Sequence, residues 1–342
     1  MKALFLAGGF GSRLRPLTDQ TPKSMVPIMN TPLLERNIIT VQEAGITEII
    51  ISTGYMAEYI ENYFGDGTRL GIPISYVREL SPAGTGGAVK LAERLLTETF
   101  LVCNADIVYD IDFRKLIAFH KKKSAAVTIA VKMVKNPSAY GVVQCDTDDL
   151  VLSFLEKPIS RIKNEPAYIN AGIYVCEPKV LALMSKRKVV SLERDVFPSL
   201  IEAKVTVAAY KDDSYWIDIG TVKKYMKLHE DIFSGKHNVS GVTFDADGIF
   251  VGENATIDPH AQINGPVYIG PGVLVGANSI IGPGVVIGSD TCIHRDARIA
   301  NSILWENTDI AKDKNEQDKV ITGYGEDEPK EKPLRADLAK TV

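Results

Sequence analysis

Leu6-Ala7-Gly8-Gly9-Phe10-Gly11-Ser12-Arg13 runs directly out of Met1-Lys2-Ala3-Leu4-Phe5-Leu6, and Pro22-Lys23 follows ten residues after Arg13. The first six residues are short, apolar and cut off by glycines, the pattern of a buried strand. Glycines at 8, 9 and 11 let backbone N–H groups approach an anion with no side chain in the way. Arg13 and Lys23 bring two positive charges to the same mouth. The stretch therefore reads as a phosphate-handling loop at a strand end, the place where α/β folds bind their ligands. The spacing excludes two familiar loops. Leu14 stands where a dinucleotide-binding fingerprint needs its third glycine, and the chain's one Gly-Lys pair, Gly235-Lys236, is followed by His237 rather than Ser or Thr. A plain glycine turn with a solvated arginine is the competing reading of this stretch on its own.

Working outward, strands over 48–53, 74–77 and 100–104 alternate with helices over 33–44 and 88–96. This alternation predicts a Rossmann-like, doubly wound α/β sheet, mainly parallel, over residues 1–240. Asp106 falls just beyond the strand that ends at Asn104. After Gly241 the period changes. Val251, Ile257, Ile263, Ile269, Val275, Ile281, Ile287, Ile293, Ile299 and Trp305 recur every six residues, with Gly directly after several of them. Such hexapeptide repeats predict a parallel β-helix of about three coils over 241–311. Residues 312–342 are charged and Pro-containing and read as a loosely docked or flexible tail.

Composition bounds the partners. At 342 residues the chain has length for two cores, and its formal net charge of −4 offers no broad basic surface for nucleic acid. No apolar run has the length of a membrane span, and the N-terminal run is too short for a signal peptide. Cys103, Cys145, Cys176 and Cys292 lack metal or disulfide spacing. This predicts a reduced, cytoplasmic setting.

Five further patterns accompany the loop: the run from Glu79 to Gly87, Asn104-Ala105-Asp106, Glu156-Lys157-Pro158, Asn170-Ala171-Gly172 and Trp216-Ile217-Asp218-Ile219-Gly220. In this order, over about residues 1–310, the chain resembles the sugar-1-phosphate nucleotidyltransferases. It is most similar to the mannose-1-phosphate guanylyltransferase branch with a C-terminal left-handed β-helix. The resemblance implies transfer of a nucleoside monophosphate from a nucleoside triphosphate to a sugar 1-phosphate, with release of pyrophosphate. Gly8, Gly9 and Gly11 would wrap the nucleotide phosphates, while Arg13 stabilises the leaving pyrophosphate and Lys23 holds the α-phosphate in line. Lys157 would clamp the sugar phosphate, and Asp106 and Asp218 would hold Mg²⁺, which prefers one or two carboxylates with phosphates and waters. Backbone at Leu6, Ala7, Gly84 and Thr85 is expected to grip base and ribose.

Glu79 takes the position that faces the base in the family. Guanine presents two adjacent donors to a carboxylate, so GTP is the expected nucleotide. Tyr140, Gly141, Glu156, Asn170, Gly172 and Trp216 match positions lining the sugar pocket. Mannose 1-phosphate is the expected acceptor, with glucose or manno-heptose 1-phosphate, and UTP, dTTP or ATP, as alternatives. The β-helix is expected to join subunits in a homo-oligomer. Two readings of other classes are a hexapeptide acyltransferase using His260 or His294, and a non-catalytic sugar-nucleotide-binding homologue. Retention of Arg13, Lys23, Asp106, Lys157 and Asp218 speaks against the second.

Overall fold

The computed structural model describes residues 1–157, 165–185 and 189–323. Pro158 of the Glu-Lys-Pro pattern, and residues 324–342 of the expected tail, lie outside the described residues. The chain divides into two compact units, Met1–Gly241 and one beginning at Val242.

The first unit is built on a nine-stranded sheet. Lys2–Leu6 lies inside it, paired in parallel with Glu48–Thr53 on one side and Phe100–Asn104 on the other. Ala3, Leu4 and Phe5 are fully buried because helices cover both faces, which is why this strand reads as an unbroken apolar run. Ile74–Arg78 extends the parallel half. Ala167–Cys176 then runs antiparallel to Phe100–Asn104, Val127–Val134 and Gly141–Cys145, so the sheet is mixed. The helix expected over 88–96 instead spans Gly84–Leu91, followed by a 3₁₀ turn over Glu93–Leu95. Glycines weaken helices in isolation, but here they are needed for contact. A Cβ on Gly86 would lie 2.9 Å from Val190 Cγ1, and Gly87 N–H donates to the Val190 carbonyl at 3.0 Å. Tertiary packing outweighs propensity.

The second unit consists of short strands stacked in three parallel sheets of five, four and four strands. This is the stacking of a left-handed β-helix, and it amounts to more than the three coils expected. Strand pairs are 18 residues apart in the early coils, as in Val267 opposite Val285, and 17 in the late ones, as in Val286 opposite Ile303. The corner after Arg298–Ala300 is one residue shorter than its predecessors. Leu304, not Trp305, therefore follows Ile299 in the core column, and the hexad assignment of Trp305 is corrected. The corners use the left-handed conformation at Asn254, Asn278, Asp290, Asp296, Asn301, Asn307, Asp313 and Asp318. Short polar side chains tolerate this region because they can bond locally. The coils also run past 311. Asn315–Gln317 and Val320–Ile321 add strands, so residues 312–323 belong to the β-helix and not to a flexible tail.

Candidate active site

The C-terminal ends of three parallel strands open a cleft of about 310 Å³, lined by Leu6–Phe10, Lys23, Ser24, Glu79, Pro82, Gly84, Thr85 and Asn104–Asp106. Gly11, at φ 64°, begins the 3₁₀ turn that carries Arg13, and its carbonyl accepts from Thr18 Oγ1 at 3.0 Å. A Cβ at Gly11 would lie 2.9 Å from Lys23 Cβ, so the loop and the lysine touch only because residue 11 is glycine. A methyl on Gly8 would overlap Glu79 Oε1, whereas one on Gly9 would meet no described atom within 4 Å. Gly8 is needed for contact; Gly9 leaves open space beside the loop.

Glu79 is fixed at the cleft. Ser52 Oγ donates to its Oε1 and Ala83 N–H to its Oε2, each at 3.0 Å. A carboxylate has about four acceptor positions, so two remain for a ligand.

Asp106 and Asp218, distant in sequence, are joined by a small antiparallel pair, Ile107–Tyr109 against Trp216–Asp218, with Asp218 opposite Ile107. Lys23 Nζ is hydrogen-bonded to Asp106 Oδ2 and lies 3.5 Å from Asp218 Oδ1. Lys224 Nζ donates to Asp218 Oδ2 at 3.2 Å. Burial pushes the Asp218 carboxyl up, but the charges of Lys23, Lys224 and Arg13 outweigh it and hold it below the usual range. Burial likewise opposes the charge on Lys224, yet its bond to Tyr140 and the charge of Asp218 keep that ammonium protonated to higher pH than usual. A Cβ at Gly220 would lie 2.9 Å from Asp218 Oδ1 and 3.1 Å from Arg13 Nη2, so this glycine admits the guanidinium beside the carboxylate.

Asp218 Oδ1 is buried and has no hydrogen-bond partner among the described residues. A buried carboxylate oxygen without a hydrogen bond, 3.5 Å from the Lys23 ammonium that also binds Asp106, fits a divalent cation. No group of three or more His, Cys, Asp or Glu among the described residues is placed to hold one. Two aspartates would therefore carry it together with phosphates and waters, the donor set hard cations accept.

The sugar-side residues are partly committed elsewhere. Tyr140 packs edge-on to Trp216, ring centroids 5.5 Å apart, and Trp216 Nε1 donates to the Ala171 carbonyl at 3.0 Å. Asn170 accepts from Gly172 N–H at 2.9 Å and donates to Tyr174 Oη at 2.7 Å, stabilising an irregularity in its own strand. Gly172, at φ 74°, leaves no room for a side chain beside Asn104. A Cβ on Gly141 would lie 2.8 Å from Glu156 Oε2. Lys157 is half-exposed, at φ 44°, and its Nζ is 3.5 Å from Glu156. Thr85 lines the cleft, but its hydroxyl donates to Glu193 at 2.6 Å and accepts from Leu192 N–H. Only its backbone is free for a nucleotide.

Sequence reasoning missed Lys224, Ser24 and the Ser52 that holds Glu79. Lys224 carried a signal. Thr221 is a helix cap type, and the helix Val222–Phe233 places residue 224 in the first turn, back over Asp218.

Residues 2–235 match the nucleotidyl transferase family, and residues 263–324 match the GMPPB C-terminal domain. A mannose-1-phosphate guanylyltransferase of Mycobacterium tuberculosis is 36% identical over 276 residues, covering 80% of this chain and 76% of that protein. A UTP–glucose-1-phosphate uridylyltransferase of Synechocystis is 32% identical over 343 residues, covering 94% and 87%. The crystal structure of HddC from Yersinia pseudotuberculosis, complexed with GMP-PN, superposes with a TM-score of 0.59 at 29% identity, covering 68% of this chain and 99% of that one. No helix among the described residues is long and apolar enough to cross a membrane.

Proposed function

The chain belongs to the nucleotidyl transferase family, and from that premise we propose that it joins GTP and mannose 1-phosphate into GDP-mannose with release of pyrophosphate. The observation that carries the guanine assignment is Glu79, whose carboxylate is held at the cleft by Ser52 and Ala83 with acceptor capacity to spare. The mannose assignment follows the Mycobacterium tuberculosis relative. The Synechocystis protein supports a second reading, UMP transfer to glucose 1-phosphate.

The chemistry asks little of the protein beyond placement. A phosphate monoester with a second pKa of about 6 is largely dianionic at neutral pH. One of its oxygens attacks the α-phosphorus; that O–P bond forms as the bond to the bridging oxygen breaks, and pyrophosphate leaves with the electron pair. No proton has to move. What remains is to bring two anions together and offset the charge that develops between them. Gly8, Gly9 and Gly11 offer backbone to the triphosphate, Lys23 meets the α-phosphate, and Arg13 meets the departing pyrophosphate. Leu6, Ala7, Gly84 and the backbone of Thr85 flank base and ribose. Lys157 holds the sugar phosphate, while Tyr140, Gly141, Glu156, Asn170, Gly172 and Trp216 bound the sugar. Asp106 and Asp218 hold the divalent metal that the family uses, here Mg²⁺, which supplies charge neutralisation at the phosphates. The enzyme acts in the cytoplasm as a homo-oligomer joined through the β-helix.

The test is pyrophosphate release in Mg²⁺ from GTP, UTP, dTTP and ATP, each paired with mannose, glucose and manno-heptose 1-phosphates. GTP with mannose 1-phosphate is expected to give the highest kcat/KM. Turnover with UTP but not GTP would overturn the role of Glu79 and favour the second reading.

A further inference from the structure

Lys224 sits where a cation is out of place by local rules. It lies in the first turn of the helix Val222–Phe233, its backbone N–H bound to Thr221 Oγ1 at 3.3 Å. The positive end of the helix dipole disfavours an ammonium there. Two partners offset this. Asp218 Oδ2 accepts from Lys224 Nζ at 3.2 Å, and Tyr140 Oη accepts from it at 2.7 Å. The lysine thus ties the end of one strand, Trp216–Asp218, to the segment that enters Gly141–Cys145.

The bond has a consequence for Tyr140. A phenol oxygen that accepts from an ammonium directs its own proton elsewhere, and the adjacent charge makes that proton a stronger donor. The Tyr140 ring is held against Trp216, so the hydroxyl has little freedom to turn away. Lys224 also occupies Asp218 Oδ2, which leaves Oδ1 turned toward Lys23.

Resting on the reading of Tyr140 as part of the sugar half of the site, we infer that Lys224 is a positioning residue for the sugar 1-phosphate. It fixes the Tyr140 hydroxyl as a donor aimed at an oxygen of that ligand and links it to the Asp218 carboxylate. Its two side-chain bonds reach neither the loop Gly8–Arg13 nor Glu79, on which the triphosphate half is built.

The experiment is a double-mutant cycle in the full chain with Lys224→Met, Tyr140→Phe and both together. KM for the sugar 1-phosphate, KM for the nucleoside triphosphate, calorimetric binding of the sugar 1-phosphate without metal, and the melting midpoint are read for each. Lys224→Met is expected to weaken sugar 1-phosphate binding roughly ten- to hundredfold, the effect of one hydrogen bond involving a charged group. KM for the triphosphate should stay within about threefold, and the double variant should lose no more than the worse single one. If Lys224→Met lowers the melting midpoint, Lys224→Gln, which keeps a donor for Tyr140, should restore the fold and part of the sugar affinity. Additive losses, or equal losses for both substrates, overturn the inference and leave the reading of Tyr140 intact. A Tyr140→Phe variant with unchanged sugar affinity overturns that reading, and the inference with it.

Discussion

Gly8 and Glu79 share a space that one methyl group would fill. The loop Leu6–Gly11 passes so close to the carboxylate that a Cβ at residue 8 overlaps Oε1. Glu79 cannot easily yield, because Ser52 and Ala83 both hold it. Gly8→Ala is therefore expected to displace the carboxylate. KM for GTP should rise about tenfold or more and the preference for GTP over UTP should shrink, while Gly9→Ala, with open space around its Cβ, leaves the melting midpoint unchanged. Kinetics of the two variants with both nucleotides check this, and an unaltered nucleotide preference in Gly8→Ala would count against the placement of Glu79. At this scale much was legible. Glycines, Arg13, Lys23 and the two aspartates stand out as candidates by type, since few other residues handle phosphate and metal. Lys224 did not, because a lysine near a helix start resembles any solvated lysine until the fold sets Tyr140 beside it.

Among elements, the β-helix shows how a period can mislead. Trp305 stands six residues after Ile299 and satisfies the hexad by spacing alone. The chain instead shortens one corner and puts Leu304 in the core. Apolar spacing does not encode a corner's length; the Asn and Asp corner residues do, moving from Asp296 to Asn301 in five steps rather than six. Glycines between coils mark where backbones meet. A Cβ at Gly276 would lie 2.6 Å from Arg295 N in the next coil. Gly276→Val should lower unfolding stability by about 1–3 kcal/mol, the usual cost of overfilling a packed site. Denaturant unfolding monitored by Trp305 fluorescence, compared with the parent chain, measures it. The Gly84–Leu91 helix is the converse case, where local propensity argued against what packing on Val190 requires.

The molecule as a whole carries an acid-sensitive point in its first unit. His229 is buried, its Nδ1–H donates to the Tyr225 carbonyl at 2.9 Å, and its Nε2 has no partner among the described residues. Burial pushes the imidazole down to about 4. The unfolded chain takes up a proton near pH 6.5, so it binds more protons than the folded one between there and about pH 4. Stability is thus complete above pH 6.5 and falls as the pH is lowered through that window, by about 3 kcal/mol for this one group. Denaturant midpoints at pH 7.5, 6 and 5 should fall accordingly, and His229→Gln should flatten the slope. An unchanged slope in that variant would show that the imidazole is not buried neutral.

By itself the sequence determined the two architectures and the chemical character of the site. Strand and coil periods are local properties, written in neighbouring residues, and phosphate loops need residue types that are rare in combination. Only the tertiary structure decided how Asp106 meets Asp218, which residue follows Ile299 in the core and that Lys224 joins Tyr140 to Asp218. Each depends on strand pairing or helix packing between segments far apart in the chain, where the free energy lies in contacts that no local pattern records.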